Sequence, residues 1–370
     1  MSTEAPRPQL QLQLQQLDDA RMRFAEGDTL PEHLLPGSLA RSWERSRTAG
    51  LKPWSSPNYE ALQPPGNPRA HPNDRQLVQC VRAEMEQLWT AFGGPQWTVF
   101  CVNPDRVIVH QYRNQDGRCG LLQPIQVGRR IQESDIGTTA PSCALAEGRP
   151  IVVHGSQHYL SEFDTVFCLS VPLHGLEGEL IGALDITGVG ERNPGLLLAH
   201  FRQAALAAEN RLISGLQHCH LLRLRHDPRW AESPMQGLLA INAEGQLRAA
   251  NRIARRMLGL PASGIEPGLH IDEMFAEARV VQRRRLLKPG TGQYVPLRDG
   301  TTAFVDLLRV AQGTRPLCWP APKHPALREQ TLQAVAKALH ANNGNISATA
   351  RELGISRTTL YKKMRGLPVQ

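Results

Sequence analysis

Leu332, Val335, Ala336 and Leu339 recur at the spacing of one helical face, and the run Asn342-Asn343-Gly344 ends that helix. Ser347 is placed to cap a second, short helix through Leu353, Gly354 supplies a tight turn, and Ser356 is placed to cap a third helix reaching about Arg365. Two short helices joined across a glycine turn make a helix-turn-helix. Ala350 is small enough to let them approach and Leu360 locks the third helix onto the core. Leu360, Met364 and Leu367 face inward, while Thr358, Tyr361, Lys362 and Arg365 share an outward stripe.

Upstream, the rhythm changes from helical to alternating. Residues 38–53 predict a helix with Leu39 and Trp43 on one face, stopped by Gly50 and Pro53. TVFCVNPDRVIVHQY predicts strand, turn and strand, and ESDIGTTAPSCALAEGRPIVV a capped helix followed by a strand. FCLSVPLHGLEGELIGALDITG predicts two strands about a glycine-containing turn, so the whole reads as an antiparallel sheet with helices on one face. Residues 195–225 give a long helical pattern, with Leu198, Phe201, Ala205, Ala208, Leu212 and Leu216 near heptad spacing. That pattern suits a signalling and dimerising helix, or equally one surface of a globular helix. PMQGLLAINAEGQLRAANRIARRMLGL then reads as strand, turn, strand and a helix opened by Asn251, with further strands in TGQYVPLRDGTTAFVDLLRV and a proline-rich linker after them.

A chain of 370 residues predicts two or three domains, and its net charge of +8 is unevenly placed. Residues 321–370 hold eight Lys and Arg against two Glu, or +6, so the rest is almost neutral and the tail has the charge of a double-stranded DNA binder. Arg357, Thr358 and Thr359 open the third helix, the end that enters a major groove, where Arg can bond a guanine edge twice. Lys362, Lys363 and Arg365 are placed for phosphates, and Ser347, Ser356 and Tyr361 complete the candidate DNA surface. The seven cysteines are odd in number, scattered and never paired as CxxC, which predicts neither a disulfide framework nor a zinc module, and no cofactor. No apolar stretch reaches the ~20 residues of a membrane span, and no signal core follows the N-terminus. A cytoplasmic protein is the expectation.

GNISATARELGISRTTLYKKM closely resembles the Fis-type helix-turn-helix that closes many bacterial sigma-54-dependent activators. The resemblance implies dimerisation through the first helix, with Leu332, Val335 and Leu339 at a two-fold interface. Residues 38–190, opening with Ser42, Trp43, Arg45 and Ser46, resemble the GAF sensor of the acetoin-catabolism type of activator, and the segment after it resembles a PAS domain. The expected fold is α+β and multidomain: a GAF-like antiparallel sheet with helices, a PAS-like α/β segment and an all-α Fis-type helix-turn-helix. Boundaries are expected at 1–37 (a flexible N-terminal segment), 38–190 (GAF-like), 191–230 (a linking helix), 231–312 (PAS-like), 313–324 (linker) and 325–370 (DNA-binding). The activators carry an AAA+ ATPase between sensors and helix-turn-helix. Here no GxxxxGK[ST] phosphate loop and no Gly-Ala-Phe-Thr-Gly-Ala loop occurs.

A GAF-like sheet implies a pocket for an unknown small effector, with Trp97, Val99, His110, Thr138, Cys143 and Cys168 as candidate contacts. Trp97 and Val99 share a strand face as core residues also do, and His110 beside Tyr112 has the setting of a strand histidine rather than of a metal ligand. The reading is a homodimeric, effector-responsive transcription regulator that is not an enzyme, with DNA, the effector and RNA polymerase as partners and no membrane. Two alternatives stand beside it: a thiol enzyme of the methionine sulfoxide reductase kind, using Cys101, Cys119 and Cys143, and a non-enzymatic adaptor that pairs with a full-length activator.

Overall fold

Three helices lead the chain: α1 (Pro8–Glu26), α2 (Gly37–Thr48) and α3 (Asp74–Phe92). The first sheet then begins with β1 (Trp97–Val102), whose six residues are all buried because the sheet is covered on both faces. β2 (Ile108–Arg113) follows a turn in which the Val107 amide donates to Asn103 Oδ1 at 2.9 Å. The short helices α4 (Glu133–Ile136) and α5 (Ala140–Glu147) lead into β3 (Ile151–His154), β4 (Val166–His174) and β5 (Leu180–Val189). The strands pair antiparallel in the order β2-β1-β5-β4-β3. α6 (Pro194–Ser214) completes this part.

The structure, a computed structural model, describes residues 8–30 (8–14 in backbone only), 33–59, 73–114, 120–229, 234–275, 286–288, 290, 292–311, 338, 342, 345–355, 357, 360 and 361. They belong to two units, residues 1–317 and 318–370.

Helices cover both faces of the first sheet, not one as the sequence pattern suggests. Val81, Met85, Phe201 and Ala205 of α3 and α6 pack against Val99, Leu169 and Ile186 on one side. On the other, α1, α2, α4 and α5 meet Phe100, Val102 and Cys168. The expected helix before β3 is two helices, because Gly137 between them has φ +71°, a conformation that side chains with a Cβ resist, and a Cβ there would lie 3.1 Å from Leu160.

The N-terminal segment also departs from expectation. Pro8–Glu26 is helical, and Leu17, Ala20 and Phe24 form a buried stripe at helical spacing. Arg21 within that stripe donates to the His158 carbonyl at 3.0 Å and pairs with Asp164 at 2.7 Å.

The 195–225 helix is a correction as well. α6 stops at Ser214, and β6 (His220–Arg225) is a strand. Phe201, Ala205 and Ala208 are spent on the sheet of their own chain. β7 (Gly237–Ile241), β8 (Leu247–Ala250), α7 (Arg252–Leu258), α8 (Ile271–Met274), β9 (Gln293–Pro296) and β10 (Thr302–Arg309) follow. Their antiparallel sheet has the order β8-β7-β6-β10-β9, so the strand expected inside a linking helix lies at the centre. A buried polar hub joins the two sheets. Glu209 of α6 accepts from the His174 amide and from Arg252, and Asn251 donates to Asn210 at 2.7 Å.

Candidate effector cavity and nucleic-acid interface

Side chains alternate along a strand, so Phe100 points away from Trp97 and Val99. On its side lies a cavity of about 40 Å³ with an apolar wall that includes Leu122, Ile131, Ile136, Phe163 and Val166. Tyr59, Thr139, His158, Cys168 and Thr187 bring polar groups to its lining, and among the described residues no Lys, Arg, Asp or Glu lines it.

The rim is a hydrogen-bonded array. His158 Nδ1 lies 3.0 Å from the Gly155 carbonyl, which can only accept, so that nitrogen carries the proton. Burial lowers the His158 pKa to about 4, leaving the ring neutral and Nε2 free to accept from Cys168 Sγ at 3.4 Å. Thr187 Oγ1 lies 3.1 Å from Cys168 Sγ. Its hydroxyl donates to Asp185 Oδ1 at 2.6 Å, the shorter and stronger of its two contacts. Burial holds that carboxyl well above the usual carboxylate range, and its other oxygen has no protein partner.

Of the six candidate contacts, Cys168 alone is among the residues lining the cavity. Trp97, Val99 and His110 lie on the opposite, α3–α6 side: Arg192 stacks on Trp97, and burial with the nearby Arg82 lowers the His110 pKa. Thr138 and Cys143 sit beside the cavity in the cluster that docks α2. Ser42 donates to Glu133 at 2.6 Å and contacts Thr138 at 2.8 Å, Cys143 donates to Glu133 at 3.5 Å, and Arg45 holds Glu133 with two nitrogens. Trp43, fully buried, donates to the Gln157 carbonyl at 2.8 Å. Sequence reasoning missed Phe100 and Thr139, each one position from a residue it named, Thr187 on a strand where it named none, and His158 in the turn after β3.

The described thiols are buried. Burial pushes Cys101 and Cys168 up, and burial with Glu133 pushes Cys143 up to about 12, so these sulfurs stay as thiols at neutral pH. Cys119 lies outside the described residues.

In the second unit, α9 (Ile346–Glu352) is capped by Asn345, whose Oδ1 accepts from the Ser347 and Ala348 amides at 3.1 and 3.2 Å. Ser347, expected as the cap, is itself a capped residue. Gly354 turns the chain at φ +63°, and Ala350 and Leu360 are buried against each other with Ile346, Leu353 and Ile355 around them. Arg357 and Tyr361 are helical, exposed and one turn apart, on the side away from Leu360. Leu332, Val335, Leu339, Ser356, Thr358, Thr359, Lys362, Lys363 and Arg365 lie outside the described residues. Among the described residues, no helix is long and apolar enough to cross a membrane.

Residues 76–208 match the GAF domain model, and residues 328–367 match that of the bacterial regulatory protein, Fis family. The acetoin catabolism regulatory protein of Cupriavidus necator is 25% identical over 330 residues, covering 85% of this chain and 48% of that protein. The acetoin dehydrogenase operon transcriptional activator of Bacillus subtilis is 24% identical over 200 residues, covering 51% of this chain and 32% of that protein. The chain thus spans about half or less of the length of these relatives. Among solved structures, the DhaR(N)–DhaL complex of E. coli aligns with a TM-score of 0.42 at 18% identity, over 74% of this chain and 100% of that one.

Proposed function

With the GAF and Fis-type domains of the acetoin-catabolism type of regulator on one chain, we propose that it is a cytoplasmic, homodimeric transcription regulator. The C-terminal unit binds operator DNA, and a small effector in the cavity beside α4 and α5 adjusts that binding. The observation that carries this reading is the coexistence of a sensor cavity and a helix-turn-helix in one polypeptide. Two half-sites read together turn the modest affinity of one recognition helix into a specific one. Between the second sheet and the helix-turn-helix the sequence holds a proline-rich linker and no phosphate loop, so the chain itself does not remodel sigma-54 polymerase.

The test is operator binding by the full chain, using sites recovered by genome-wide mapping. Arg357→Ala should relax sequence preference by about 1–3 kcal/mol, whereas Lys363→Ala should weaken all sequences alike and lower the salt slope by about one. Equal losses on operator and random DNA in the Arg357 variant would remove it from base readout. Retention of operator by a chain lacking residues 321–370 would overturn the assignment of the DNA-binding unit.

A further inference from the structure

The chamber beside α4 and α5 has almost no open side. Thr139, His158, Phe163, Val166, Cys168 and Thr187 of its wall are each at most 8% exposed, whereas Tyr59, Leu121 and Ile125 are half-buried. Side chains packed to this density leave no path for a guest unless an element of the wall moves.

Residues 17–30 and 33–59 precede the segment that matches the GAF domain model, and they are fastened to both walls of the chamber. On the side of His158, Trp43 donates to the Gln157 carbonyl at 2.8 Å, the Tyr159 hydroxyl donates to the Leu51 carbonyl at 3.2 Å, and the Ser161 amide donates to the Pro53 carbonyl at 2.8 Å. On the side of α4, Ser42 donates to Glu133 at 2.6 Å and the Asn58 amide donates to the Asp135 carbonyl at 2.8 Å. Tyr59, next in the chain, stands in the chamber wall itself.

α1 is bound into this arrangement by Arg21, which is 1% exposed. Its two terminal nitrogens meet the two Asp164 oxygens at 2.7 and 3.1 Å, and one of them also donates to the carbonyl of His158, whose ring lines the chamber. Three charge-assisted bonds thus cross one junction. The Asp164 side chain is 35% exposed, so this junction is the point at which water reaches the fastening.

Resting on the effector-cavity reading above, we infer that the segment from α1 to Tyr59 is a strap. Closed, it ties the two walls of the chamber together, and its release is the step that admits and discharges the effector, with Arg21 and Asp164 as the latch.

The chain carries its own reporter and control, because Cys168 lines the chamber and Cys101 is buried on the opposite face of the same sheet. The full chain is treated with methyl methanethiosulfonate, with and without pressurised xenon as the guest, and each cysteine is followed by mass spectrometry. Strap release exposes Cys168 while Cys101 waits for global unfolding, so Cys168 should label at least about tenfold faster, and xenon should slow it. Arg21→Gln and Asp164→Asn should each speed Cys168 by a further factor of about ten and leave Cys101 unchanged. The double variant should be no faster than the quicker single one, because the two side chains act as a pair. Tyr159→Phe, which keeps the ring and loses the bond to the Leu51 carbonyl, should speed Cys168 about fivefold and serves if a latch variant does not fold. Equal labelling of the two cysteines in the parent would overturn the strap, as would variants that change neither rate or change both alike. Xenon bound in the chamber by NMR alongside such a result would leave the effector-cavity reading standing. Xenon that neither binds nor protects Cys168 would overturn that reading and this inference together.

Discussion

Asp185 and His158 sit at two ends of one hydrogen-bonded array, and burial moves both toward their uncharged forms. For His158 the folded pKa of about 4 lies below the ordinary 6.5, so on acidification the unfolded chain takes up the proton first. Its contribution is therefore lost between about pH 6.5 and pH 4, at ~1.4 kcal/mol per pH unit. Asp185 works in the other sense. Its folded pKa is raised, so the folded chain keeps a proton that the unfolded chain has released, and this contribution is lost as pH rises toward the folded pKa. Over the window where both act, the slopes oppose. Asp185→Asn removes one of them without changing shape, and the variant should gain stability relative to the parent as pH rises above the ordinary aspartate range. Urea unfolding of the two proteins across that window measures the difference. Parallel stability curves would mean that Asp185 is ionised in the folded chain.

Among the elements, α7 shows how far a local signal reaches. Asn251, read in the sequence as the start of a helix, accepts from the Leu238 and Ala254 amides at 3.1 and 2.8 Å and donates to Asn210 and to the Gln236 carbonyl. Asn251→Ala should cost about 2–4 kcal/mol, more than an exposed cap, because buried partners are left unmatched on two elements. Chemical denaturation measures it, and a loss below about 1 kcal/mol would mean that the hub repacks. Caps, glycine turns and alternating strands are local, and so the strands of the first sheet, the Ser-Trp-x-Arg-Ser helix and the Gly354 turn were all legible. What lay beyond reach depends on partners distant in sequence. The QLQLQLQ run alternates like a strand although α1 is a helix, and HLLRLR could continue a helix although it fills the middle of a sheet. Parity places Phe100 opposite Val99, but nothing in β1 says which face has the cavity, and both effector candidates drawn from that strand fell on the face packed by α3 and α6.

At the scale of the whole molecule, one helix serves two sheets. α6 buries Phe201 and Ala205 against the first sheet, holds His174 and Arg252 through Glu209, and hands the chain to the central strand of the second. Under the proposed reading, a change at the cavity rim would reach α6 through the packed strands, and an effector would shift this assembly only as far as it binds its two arrangements differently. For that shift to reach DNA, the two recognition helices of a dimer must be held at a set spacing. The proposed interface uses Leu332, Val335 and Leu339, which lie outside the described residues. Leu339→Asp would place a charge in an apolar contact between copies, where its desolvation goes uncompensated. The variant should lose operator affinity and dissociate to monomer in sedimentation, while its first unit keeps the parent's unfolding midpoint. Because two half-sites would no longer be read together, the loss should be large on operator and small on random DNA. An intact dimer with unchanged operator affinity would place the two-fold contact elsewhere on the chain.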